Sequence, residues 1–135
     1  MLRPLALRCL ANPSAIALAP GDSALFVAET AENRVLRFTQ RPPGVWHATV
    51  FHTFSGRLGP SALVCDAARN LLYVARSEAP ETGLRGVVSV LSLDGTLLKE
   101  FEANSDEVSA LALSPNGALL YIADGVGGTV YSVVL

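Results

Sequence analysis

A block of about 47 residues recurs three times along this chain, and that repeat limits the fold more than any other feature. The first copy reads Pro13-Ser14-Ala15-Ile16-Ala17-Leu18, then Ala24-Leu25-Phe26-Val27-Ala28-Glu29. The second reads Pro60-Ser61-Ala62-Leu63-Val64-Cys65, then Leu71-Leu72-Tyr73-Val74-Ala75-Arg76. The third reads Val108-Ser109-Ala110-Leu111-Ala112-Leu113, then Leu119-Leu120-Tyr121-Ile122-Ala123-Asp124. Ser14, Ser61 and Ser109 are spaced 47 and 48 apart, and each precedes Glu29, Arg76 or Asp124 by 15 residues. A third apolar block follows every time: Arg34-Val35-Leu36-Arg37-Phe38, Gly86-Val87-Val88-Ser89-Val90 and Thr129-Val130-Tyr131-Ser132-Val133.

These blocks have strand character. Each is short, rich in Val, Leu, Ile, Phe and Tyr, and bounded by turn-forming residues. Reversals are expected at 20–23, at 66–70 and at Pro115-Asn116-Gly117, between the first and second strands. A fourth strand is expected over 46–54 in the first copy and over 96–102 in the second, the latter entered by Asp94-Gly95. The expected fold class is all-β: β-propeller blades, as three four-stranded antiparallel meanders. One domain spans 1–135, with 1–11 as a leading outer strand. Repeats follow at 12–56, 57–104 and 105–135, the last without its own fourth strand. Leu25, Val27, Leu72, Val74, Leu120 and Ile122 alternate on the second strands and are expected between blades.

Composition excludes several classes. Half of the residues are hydrophobic and 16% are charged, so the chain can build a core. A net charge of −2 argues against a nucleic-acid partner. No apolar run approaches the roughly 18 residues of a membrane span. Two cysteines, Cys9 and Cys65, make no disulfide framework, which favours an intracellular location. Arg3 and Arg8, with no acidic residue before Asp22, also admit an organelle presequence over 1–11.

Pro13-Ser14-Ala15-Ile16-Ala17-Leu18, followed by Leu25 to Glu29 and by Asn33 to Phe38, resembles an NHL-type repeat. Ser114-Pro115-Asn116-Gly117-Ala118 with Leu119 to Asp124 is similar to repeats of the gluconolactonase and strictosidine-synthase-like group. The resemblance covers 12–135 and implies a six-bladed propeller, of which this chain is about half. It also implies a divalent cation, such as calcium, held by Glu, Asn and Asp side chains at the starts of the inner strands. The matching positions are Ala11 or Asn12, Ser61 and Ser109, so serines stand where amide and carboxylate ligands are implied. The channel-mouth candidates are therefore Asn12, Ser14, Ser61 and Ser109, with no metal ligand set assigned and no cofactor expected.

A second group of candidates closes the second strands: Glu29, Arg76 and Asp124, with Glu78 and Glu81 in the longer loop 77–85. A charged ring facing a ligand competes there with carboxylates that merely tie the following turn. His47 and His52 lie five apart on one expected strand and so face opposite ways unless a bulge intervenes. Cys65 reads as a small buried hydrophobe and Trp46 as a rim aromatic or a contact patch. Gly125-Val126-Gly127-Gly128 joins two strands and reads as a hairpin, not a phosphate loop.

Two functions follow as expectations. The first is a propeller-type interaction or scaffold module without evident catalytic machinery. The alternative is a lactonase-like hydrolase with a metal at the propeller mouth. The expected partner is a second copy placed head to tail, completing six blades, or another half-propeller. In that arrangement 2–10 would supply the closing strand of the other chain's last blade.

Overall fold

The computed structural model describes residues 1–22 and 24–135, without the side chain of Asp22; Ser23, in the expected 20–23 reversal, lies outside the described residues. Among the described residues eleven strands form, and the helical pieces are 3-10 turns of three residues each. The first sheet is a meander of β1 (Pro13–Leu18), β2 (Ala24–Glu29), β3 (Arg34–Gln40) and β4 (Trp46–Thr53). The second contains β5 (Pro60–Asp66), β6 (Leu71–Arg76), β7 (Val87–Ser92) and β8 (Leu97–Glu102). The third has β9 (Val108–Leu113), β10 (Leu119–Asp124) and β11 (Thr129–Val134), and no fourth strand among the described residues. All pairings are antiparallel, and β1, β5 and β9 lie side by side as the inner strands of three stacked blades. No helix among the described residues is long and apolar enough to cross a membrane.

Period-two alternation gives each second strand two apolar faces, one for each neighbouring blade. Phe26 and Ala28 meet Leu72, Val74 and Leu63 across the first seam. Tyr73 and Ala75 meet Leu120 and Ile122 across the second. Leu72, Val74, Leu120 and Ile122 are thus buried between blades as expected. Leu25 and Val27 are not. They face away from the second blade, and with Leu36 and Phe38 they pack under Ala6, Leu10 and Trp46.

The leading strand expected over 1–11 does not form within the chain. The segment 1–12 is irregular. It lies over the outward face of the first blade, anchored where Thr30 N–H donates to Asn12 O and Ala31 N–H to Ala11 O.

The fourth strands carry a further difference. A register shift in β4 skips Phe51, so His52 pairs with Val35 and His47 with Thr39. The bulge turns both histidines to one face but leaves them roughly 13 Å apart at ordinary strand rise. His47 Nε2 lies 2.9 Å from Arg41 O, and His52 Nδ1 lies 2.9 Å from Gly95 O on the second blade.

Candidate functional site

The starts of the inner strands and the ends of the second strands meet at one end of the stacked blades, where nearly all of the candidate residues gather. Ser14 opens β1 with its Oγ 2.6 Å from Thr30 Oγ1 and 3.3 Å from Pro60 O of the next blade. Thr30 Oγ1 itself donates to Pro60 O at 2.7 Å. The second seam repeats the motif. Ser61 Oγ donates to Val108 O at 2.6 Å, and Ser77, the counterpart of Thr30, reaches Ser61 Oγ at 3.4 Å. These serines clasp one blade to the next.

Ser109 makes only the part of the motif that lies within its own blade. Its hydroxyl donates to Ala123 O at 3.3 Å, as Ser61 reaches Ala75 O at 3.4 Å. Gly125 replaces the hydroxyl residue found at Thr30 and Ser77. Asn12 stands just before β1 in a left-handed conformation (φ 57°), exposed, with its carbonyl engaged by Thr30 N–H.

Glu29, Arg76 and Asp124 occupy equivalent strand ends and do three different things. Glu29 is 1% exposed. Its carboxylate accepts from Ala11 N–H at 2.9 Å and pairs with Arg34, so it ties the irregular N-terminal segment to the first blade. Burial alone would raise its pKa, but the Ala11 N–H and the Arg34 guanidinium outweigh burial and hold it below the ordinary carboxylate range. Asp124 ties its own hairpin, accepting from Val126 N–H at 3.1 Å and Gly127 N–H at 2.9 Å. Arg76 is buried and bonded to Ser89, Ser55 and Glu100.

The longer loop 77–85 is likewise bound to its surroundings. Glu78 is buried, pairs with Arg57 at 3.3 Å and accepts from Ala79 N–H at 2.9 Å. Glu81 is exposed in a 3-10 turn, Pro80–Thr82. Arg85 approaches Asp106 of the next blade at 3.7 Å. Cys65 is half-buried against the first seam, and burial, then the Asp66 charge, pushes its thiol pKa up. Trp46 packs against Val27, Leu36 and Phe38.

Hard cations bind where several oxygen donors converge. Among the described residues no three His, Cys, Asp or Glu side chains come together in a way that would hold a metal ion. The mouth serines each spend their hydroxyl on a backbone carbonyl or a neighbouring hydroxyl. This donor set does not fit the calcium site that the resemblance implies.

The Glu29 carboxylate gives a signed pH prediction. Its depressed pKa adds stability that is present above the unfolded-state value and is lost as pH falls through the folded value. Glu29→Gln is therefore expected to be less stable at neutral pH and to lose less on acidification. Urea midpoints between about pH 3 and pH 7 check this; equal acid slopes in the two proteins would refute it.

No protein-family model and no curated protein matches the chain. Solved structures do. A gluconolactonase from Xanthomonas campestris superposes with a TM-score of 0.74 at 22% identity, over 93% of this chain and 38% of that one. A calcium-binding protein, regucalcin, from Agrobacterium tumefaciens gives 0.72 at 21% identity, over 92% and 46%. A chain of a nidogen/laminin complex gives 0.70 at 18% identity, over 89% and 43%. The chain thus spans less than half the length of these structures, and at such identities the likeness shows fold alone. The fold is that of neighbouring β-propeller blades, two of four strands and one of three.

Proposed function

We propose that this chain is an interaction module of the propeller type, presenting blade faces and loops to a partner. The observation that carries this reading is the use made of the mouth residues. Where a lactonase-like site would need converging oxygen ligands, Ser14 and Ser61 fasten neighbouring blades, and Glu29 and Asp124 fasten backbone. The similar chain from the nidogen/laminin complex belongs to a protein–protein assembly, which accords with such a role.

The second reading is a lactonase-like hydrolase with a divalent cation at the mouth. The fold likeness to a gluconolactonase and to a calcium-binding protein favours it. Calorimetric titration with calcium and zinc, run beside a panel of small lactones, separates the two. The module reading expects no saturable metal heat and no turnover. Stoichiometric metal binding with lactone hydrolysis would overturn it.

A further inference from the structure

We infer that the open face of the third blade docks on the first blade of a second copy of this chain, displacing the irregular N-terminal segment that covers it. This rests on the interaction-module reading and names the partner.

The argument starts from equivalent positions. Phe26 and Tyr73 are buried by the blade that follows them, at 1% and 2% exposure, whereas Tyr121 is 38% exposed. Val35 and Val88, paired with Ala28 and Ala75, are fully buried. Val130, paired with Ala123, is 71% exposed, and Val134 on the same face is 82% exposed. The third blade thus presents the surface that the first two bury against a following blade.

The complementary surface is also on this chain. Leu63 is buried against the first blade, while its counterpart Ile16 is 62% exposed. Ile16, Leu18, Leu25 and Val27 form the face a preceding blade would cover. Both halves of the seam therefore exist in one polypeptide, with the chemistry already used at the two internal seams. The clasp points the same way. Ser14 reaches Pro60 O and Ser61 donates to Val108 O, but Ser109 bonds only to Ala123 O of its own blade. The residue matching Pro60 and Val108 in a first blade is Pro13, so Ser109 would donate to the carbonyl of Pro13 of the partner subunit. Two such seams, related by a twofold axis, close a ring with no open face.

The N-terminal segment stands in the way, and it is loosely seated. A cavity of about 380 Å³ remains beneath it, lined in part by Leu5, Leu10, Ile16, Leu25, Val27 and Phe38. Leu2 and Leu7 are exposed, and Ile16 stays uncovered. A docking blade fills that face better than this segment does, so the segment competes with assembly and shifts it to higher concentration.

Sedimentation and light scattering over the micromolar range test the proposal. The expected product is a species of twice the 14.2 kDa chain mass. Val130→Asp, at an exposed position, should stay monomeric with an unchanged circular-dichroism spectrum. If that variant misfolds, Ser109→Ala is read instead and should weaken association about thirtyfold by loss of one hydrogen bond at each of the two seams. Ala6→Asp with Leu10→Asp in the full chain should loosen the segment and tighten the dimer by about tenfold. Trypsin should cut after Arg8 faster in dimer than in monomer. Open-ended oligomers would overturn the proposal, as would V130D assembling like wild type, or wild type and the A6D/L10D variant both remaining monomeric. Lactone turnover would sink the module reading whatever the oligomeric state. A monomer that turns over no lactone would sink only the second-copy partner.

Discussion

Gly59→Ala is expected to lower the unfolding free energy by about 3 kcal/mol, read from urea denaturation. Two penalties act together. Gly59 holds φ at 97°, a conformation that side-chain-bearing residues rarely adopt, and an added Cβ would lie 2.3 Å from Thr30 O. That oxygen belongs to the neighbouring blade and accepts the N–H of Asn33, itself left-handed at φ 54°. Moving it disturbs the turn after β2 and the Thr30 contact to Pro60 O. Gly128→Ala is the internal control. Gly128 has φ 63° with nothing within 4 Å of the added Cβ, so only the conformational cost of about 1 kcal/mol applies. Equal losses at the two sites would refute the close approach between the blades.

Arg76→Ala is expected to cost about 3 to 4 kcal/mol, and Arg76→Met about half of that, by the same measurement. The Arg76 side chain is 5% exposed. Its guanidinium sits 4.4 Å above the Phe54 ring and meets Ser89 Oγ at 3.2 Å, Ser55 O at 3.2 Å and Glu100 at 2.7 Å. Burial lowers its pKa, and Glu100 opposes that shift. Glu100 reaches water when the cation is removed, so the loss lies chiefly in packing over Phe54 and in the stranded polar groups beneath it. Methionine keeps the stem and part of the contact. If it costs as much as alanine, charge rather than packing dominates.

The strands were legible because each blade repeats a small-residue inner strand and an alternating second strand. Ser-Ala with a branched residue, then Leu-Tyr-Val-Ala or its equivalent, fixed β1, β5 and β9 and their partners to within a few residues. The N-terminal segment was not legible. Its apolar residues fit a strand, but a strand needs an edge, and the nearest exposed surface was the Leu25 and Val27 face. The role of the serines was not read from the sequence, although a signal was there: Thr30 and Ser77 each follow a serine by 16 residues. What sequence could not supply was the acceptor, a backbone carbonyl of the next repeat. Glu29, Arg76 and Asp124 hold equal strand positions yet feed three different local hydrogen-bond networks, which the repeat alone does not reveal.

The hydroxyl clasp between blades has an evolutionary consequence. Its donor is a side chain of one unit, and its acceptor is a main-chain oxygen that every unit possesses whatever its residue, proline at Pro60 and valine at Val108. A duplicated unit therefore arrives with a working joint on both sides, and substitutions at the accepting position leave that joint intact. Such a lineage can gain or lose whole blades by unequal recombination with this hydrogen bond kept, and only the side-chain contacts of the new seam need refitting.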